Sequence, residues 1–190
     1  DPFGAQNVRA HMHPGHESPD VVGPSGPVDP ELCVLAARSL EGRPLALFAN
    51  YSQHYYGAPL LSSDYCGRFA AHIAALLGAD TGAPAFVGMI SQGTSGDLMW
   101  MDYGAPRQEI GYDAYARELA EQALAAYGRI EWHDWVPLRA AARSLALRAR
   151  VPDAARLDWA RVTVAALGGG PPRELPEIYA REALYLSERP

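Results

Sequence analysis

Apolar and polar positions divide the chain into recognisable pieces. Two apolar runs, Leu32 to Arg38 and Leu45 to Tyr51, flank the turn-rich Glu41-Gly42-Arg43-Pro44 and predict two adjacent antiparallel strands joined as a hairpin. From Ser63 the period changes. Phe69, Ile73, Leu76 and Leu77 recur at i, i+4, i+7 and i+8 and stop at Gly78, which predicts a helix capped by Ser63 or Asp64. Ala85 to Ile90 is a short continuous apolar run, the pattern of a buried strand, and it delivers the small polar loop Ser91 to Asp97. Tyr112 to Tyr127 carries Ala116, Leu119, Ala120, Ala123 and Leu124 on one helical face, with Gly128 as terminator. In Val136 to Arg150, Leu145, Leu147 and Ala149 alternate with Ser144, Ala146 and Arg148, and this predicts a half-buried strand despite the strong helix formers. Pro152-Asp153 opens a third helix to Leu167, Gly168 to Pro172 breaks it, and Pro176 to Glu188 is helical again. Strands interleaved with helices belong to the α/β class, here a layered domain with a mixed β-sheet flanked by helices.

Ahead of these elements, residues 1–30 are dense in proline and glycine and predict an extended arm, because proline withholds a backbone donor and glycine weakens regular structure. Residues 31–190 are then expected to be part of a single α/β domain, a size that buries roughly 70% of the unfolded surface. No apolar stretch approaches the ~20 residues of a membrane span, so no transmembrane segment is expected. The formal charge is −6, and all 16 basic residues are arginines scattered singly. Nucleic acid is therefore an unsuitable partner, since binding it needs a clustered basic face. Cys33 and Cys66 fall in apolar surroundings and read as small buried hydrophobes. A chain opening Asp1-Pro2 without Met is expected to have its natural start upstream.

Candidate chemistry begins with the six histidines. His11 and His13 form an H-x-H pair that an extended strand would aim to one side, with His16 close behind, and either a chelate or a solvated loop satisfies that spacing. His72 lies on the polar side of its predicted helix, and His133 sits between Trp132 and Asp134. His54 differs in context. It follows the strand end Asn50-Tyr51-Ser52-Gln53, on a loop held by rigid elements, where sites tend to be built. Gln92 to Asp97 is the second candidate, since Gly93 and Gly96 flank Thr94-Ser95 and free N–H groups there would suit an oxyanion. It is equally an ordinary strand-to-helix loop. It is neither a phosphate loop with its lysine nor a G-x-S-x-G elbow.

Four blocks follow one another in order: Gly26-Pro27-Val28-Asp29-Pro30-Glu31, Asn50 to His54, Ser63-Asp64-Tyr65, and Gln92 to Asp97. Together they resemble the neutral/alkaline, non-lysosomal ceramidases, and Ile178-Tyr179-Ala180-Arg181-Glu182 matches the same family more loosely. The resemblance implies a zinc-dependent amidohydrolase acting on an N-acyl lipid or related small-molecule amide, in a secreted or periplasmic setting. In that family two histidines, a glutamate and a tyrosine hold one zinc ion, and the resemblance makes His54 one of those ligands. It places the other three outside this chain. Ser95 and Asp97 would line the site, and Asp64 would orient His54 from behind. Met99 stands where a ceramidase has a serine, and a thioether neither attacks a carbonyl nor donates a hydrogen bond. Two other readings remain: a non-catalytic binding or structural module with the same fold, and a metal-independent serine hydrolase using Ser95.

Overall fold

A computed structural model describes residues 11–79, 83–96, 98–147 and 151–188. The chain divides into two compact units, one running from Met12 to Pro137 and the other containing Leu138 to Pro190.

The first unit is an α/β layer. Strands β1 (Cys33–Arg38) and β2 (Pro44–Tyr51) form an antiparallel hairpin in which Leu35 faces Phe48. Its turn closes through Ser39 N–H to the Arg43 carbonyl at 2.8 Å, and Gly42, at φ +89°, takes the left-handed position that a side chain would resist. Helix α1 (Asp64–Leu76) then carries the chain over the sheet to β3 (Val87–Gln92), which pairs with β2 in parallel. The sheet order is β1-β2-β3, mixed as the pattern predicts. Helix α2 (Tyr112–Tyr127) packs on the same side as α1.

The core follows from the two periodicities. Leu47 and Ala49 alternate inward from β2, Tyr65, Phe69 and Ile73 line one face of α1 at intervals of four, and Ala116, Leu119, Ala120 and Ala123 line α2. The alanines let α2 approach closely, and Gly88 does the same for β3: a Cβ there would meet Ile73 Cγ2 at 2.9 Å. Among the described residues of this unit, no helix packs on the opposite face of the sheet. Leu35, Phe48 and Met89 form one row across the three strands there, Ala37, Ala46 and Val87 form the next, and the large members of both rows are exposed.

In the second unit, α3 (Ala154–Ala166) starts at Asp153, whose carboxylate accepts the Arg156 N–H at 2.8 Å. Helix α4 (Leu175–Ser187) opens with a capping box between Glu174 and Glu177 and has Pro176 in its first turn. Ala160, Ala180 and Ala183 bury the seam between the two helices.

One predicted element does not form. Residues 136–147 are neither strand nor helix, with Leu138, Leu145 and Leu147 at 92%, 66% and 85% exposure, and 148–150 lie outside the described residues. The alternation marks a face, but a strand also needs a neighbour to take its N–H and carbonyl groups, and among the described residues none pairs with this stretch.

Candidate functional site

Parallel pairing brings the carboxyl ends of β2 and β3 to one edge of the sheet, with Tyr51 opposite Gln92. Both segments singled out in the sequence leave from this edge. The Gly93 N–H continues the ladder to the Tyr51 carbonyl at 3.1 Å, and the His54 N–H reaches the Leu98 carbonyl at 3.0 Å, so the 93–98 loop is tied to the 51–54 segment at both ends. Ligands of open α/β sheets bind outside such strand ends.

A buried polar network fixes this junction. Ser52 and Gln53 are fully buried despite following the strand. Ser52 Oγ donates to Asp29 Oδ2 at 3.3 Å and accepts the Thr94 N–H at 3.1 Å, joining the arm, β2 and the β3 loop. The backbone of Gly93 passes so near that a Cβ would lie 2.5 Å from Ser52 Oγ. The Gln53 carbonyl accepts from the Gln92 amide at 2.9 Å and from the Tyr65 hydroxyl at 3.1 Å, and burial pushes that phenol well above its usual pKa. Gln53 Nε2 donates to the His54 carbonyl at 2.9 Å, while its Oε1 is buried with no partner among the described residues. None of Asp29, Ser52, Gln53 and Gln92 was singled out for this role in the sequence. The signal available was polar side chains at the carboxyl ends of two apolar strands, Ser52 and Gln53 just past β2 and Gln92 closing β3.

His54 itself is exposed. Its Nδ1 lies 3.2 Å from the Tyr55 carbonyl oxygen. A carbonyl only accepts, so in the neutral ring this contact suits the tautomer with the proton on Nδ1, which leaves Nε2 as the acceptor nitrogen. Ser95 is half-buried on the neighbouring loop, and none of the histidine hydrogen bonds among the described residues involves it. Asp97 lies outside the described residues.

Asp64 works on the loop rather than on the imidazole. Its carboxylate, 7% exposed, receives the N–H groups of Tyr56, Gly57 and Ala58 at 2.9, 3.0 and 2.8 Å and that of Tyr65 at the start of α1. Burial alone would raise its pKa, and the four N–H donors outweigh that effect and hold the carboxyl below its ordinary value. Asp64 thereby anchors the segment that follows His54.

The arm histidines have other partners. His13 Nδ1 lies 2.6 Å from the Tyr103 hydroxyl, and His16 Nδ1 donates to the Ala105 carbonyl at 2.9 Å, fastening the arm to the 103–105 turn. His72 pairs with Asp113, linking α1 to α2. Among the described residues no three His, Cys, Asp or Glu side chains gather where they could hold a metal ion. No helix is long and apolar enough to cross a membrane. The chain matches no protein-family model, no curated protein and no solved structure.

Proposed function

We propose that this chain is part of a zinc-dependent hydrolase of an amide bond, ceramidase-like, with His54 as one metal ligand and an N-acyl lipid or related amide as substrate. The observation that carries the reading is the His54 ring. It stands exposed at the shared carboxyl edge of two parallel strands, with Nδ1 directed to a backbone carbonyl and Nε2 available, the arrangement metal-binding histidines usually show. The resemblance of the four sequence blocks to ceramidases supports it from a second direction.

The described residues alone do not fit the ion: a catalytic zinc takes about three protein ligands, and His54 is a single donor. The proposal therefore places the remaining donors on polypeptide outside this chain. A zinc ion held there would supply Lewis acidity towards a carbonyl and lower the pKa of nearby water. The chain's own residues have the supporting tasks. The Ser52, Gln53 and Gln92 network holds the two loops in register, Asp64 fixes the segment after His54, and the Gly93 and Thr94 N–H groups are spent on Tyr51 and Ser52, tying the loop down rather than facing a ligand.

The test is metal content and hydrolysis together. The 190-residue chain should bind zinc only weakly by equilibrium dialysis. A longer chain carrying the remaining donors should hold one equivalent and hydrolyse an amide, and His54→Ala should remove both. Stoichiometric zinc retained in His54→Ala would remove the assignment. A longer chain that takes up no zinc and hydrolyses nothing would be a binding module, the alternative that the solitary His54 favours. Chelator-resistant hydrolysis lost in Ser95→Ala would establish the serine hydrolase instead.

A further inference from the structure

The segment following His54 ends in an apolar tip, Pro59-Leu60-Leu61, whose two leucines are 97% and 107% exposed. Leu61 also has φ +58°, a left-handed conformation that bulky side chains avoid. The tip is not loosely tethered. Asp64 grips the N–H groups of Tyr56, Gly57 and Ala58 on one side, and on the other the Asp64 N–H donates to Ser62 Oγ at 3.0 Å. A firmly based loop that presents two adjacent leucines to solvent, one on unfavourable backbone, is formed for a contact outside the fold.

Behind the tip lies an open hollow of about 420 Å³, lined by the tip itself and completed by Ser62, Ser63, Asp64, Arg68 and Tyr112. Arg68, which pairs with Asp113 at 3.3 Å, and Asp64 both line the hollow, so it carries both signs of charge. Tyr55, also exposed, lies near the other end of the loop.

We propose that Leu60 and Leu61 anchor the chain to a zwitterionic phospholipid surface, entering its acyl region while a headgroup occupies the hollow lined by Arg68 and Tyr112. Three features select this occupant. Two leucines at the tip of one loop make a small apolar point, whereas a stable protein interface needs roughly 800 Å² from each partner. Entry into a bilayer surface needs only a few apolar side chains, with tyrosine and arginine at headgroup level. A net charge of −6 and a hollow carrying both signs of charge favour a zwitterionic surface over an anionic one. The anchor stands apart from the metal reading, because vesicle binding reports on the tip whatever His54 does.

The experiment is co-sedimentation of the full 190-residue chain with phosphatidylcholine vesicles. The unmodified chain should partition onto them, and Leu60→Ser with Leu61→Ser should weaken partitioning at least tenfold without changing the far-UV circular dichroism, since both side chains stand in solvent outside the core. Leu61→Asn supplies a second readout. Asparagine tolerates the left-handed conformation better, so this variant should fold at least as stably while losing vesicle binding severalfold. An unmodified chain that stays in the supernatant at millimolar lipid would overturn the proposal, and so would a double variant binding within twofold of the original. Concentration-dependent dimerisation lost in the double variant, without vesicle binding, would overturn it in favour of a second copy.

Discussion

The Gln92 side-chain amide donates to the Gln53 main-chain carbonyl at 2.9 Å, bridging from the end of β3 to the residue before His54. Tyr65 reaches the same oxygen from α1, so one acceptor gathers a strand, a helix and the candidate loop. Tyr65→Phe removes one of two donors and should cost about 1 kcal/mol in urea unfolding. Combining it with Gln92→Met strips both, and the double variant should lose more than the sum of the singles by at least ~0.5 kcal/mol. Simple additivity would show that the oxygen finds water instead.

Asp64 links stability to pH in a definite direction. Its folded carboxyl sits below its ordinary value, so its contribution is fully present at neutral pH and disappears as pH falls through that ordinary value towards the lower folded one. Asp64→Asn should therefore lose about 2 kcal/mol at pH 7, because several charge-assisted bonds weaken together. The gap from the unmodified chain should narrow below about pH 4. Urea titrations from pH 7 to pH 3 measure it, and a gap that stays constant would mean that the ionised form contributes nothing.

Gly93 is required by proximity rather than by backbone twist. A methyl there would stand 2.5 Å from Ser52 Oγ and 3.2 Å from Asn50 Oδ1. Gly93→Ala should cost about 1–3 kcal/mol as β2 and β3 are pushed apart at their carboxyl ends. Adding Ser52→Ala removes the nearest atom and should recover part of the loss. Thermal melts of the two singles and the double suffice to see the coupling.

Limited trypsin digestion should cut first after Arg139 or Arg143, which are exposed on backbone lacking helix or strand bonds, at the boundary between the two compact units. Arg68 and Arg117, within α1 and α2, should be cut later. Mass spectrometry of the earliest fragments decides it, and a first cut after Arg117 would contradict the assignment.

Much of the fold was legible because each element's period is a local property. The spacing of Phe69 and Ile73 and the run from Ala116 to Ala123 named the buried faces of α1 and α2, and the two apolar runs around Gly42 named the hairpin. The stretch from Val136 misled because alternating Leu145 and Leu147 describe only one half of a ladder, and the other half is a neighbour that sequence cannot display. At the candidate site, His54 and the Gly93 loop were visible as residues after strands, which is enough to expect them at one edge, whereas the pairing of Tyr51 with Gln92 that sets the register was not. Asp64 looked like a helix cap or a support for His54, but sequence gives no sign that φ +53° turns its carboxylate towards three successive N–H groups of the preceding loop.

The bare row of Leu35, Phe48 and Met89 also changes what a familiar diagnostic would mean for this chain. Fluorescent dyes that light up on apolar surface are commonly used to recognise loosened, partly unfolded states. Here the intact sheet already offers such a surface, so a bright signal would accompany the native fold, and loosening would have to be followed by loss of near-UV dichroism from the Tyr56–Trp100 stack instead.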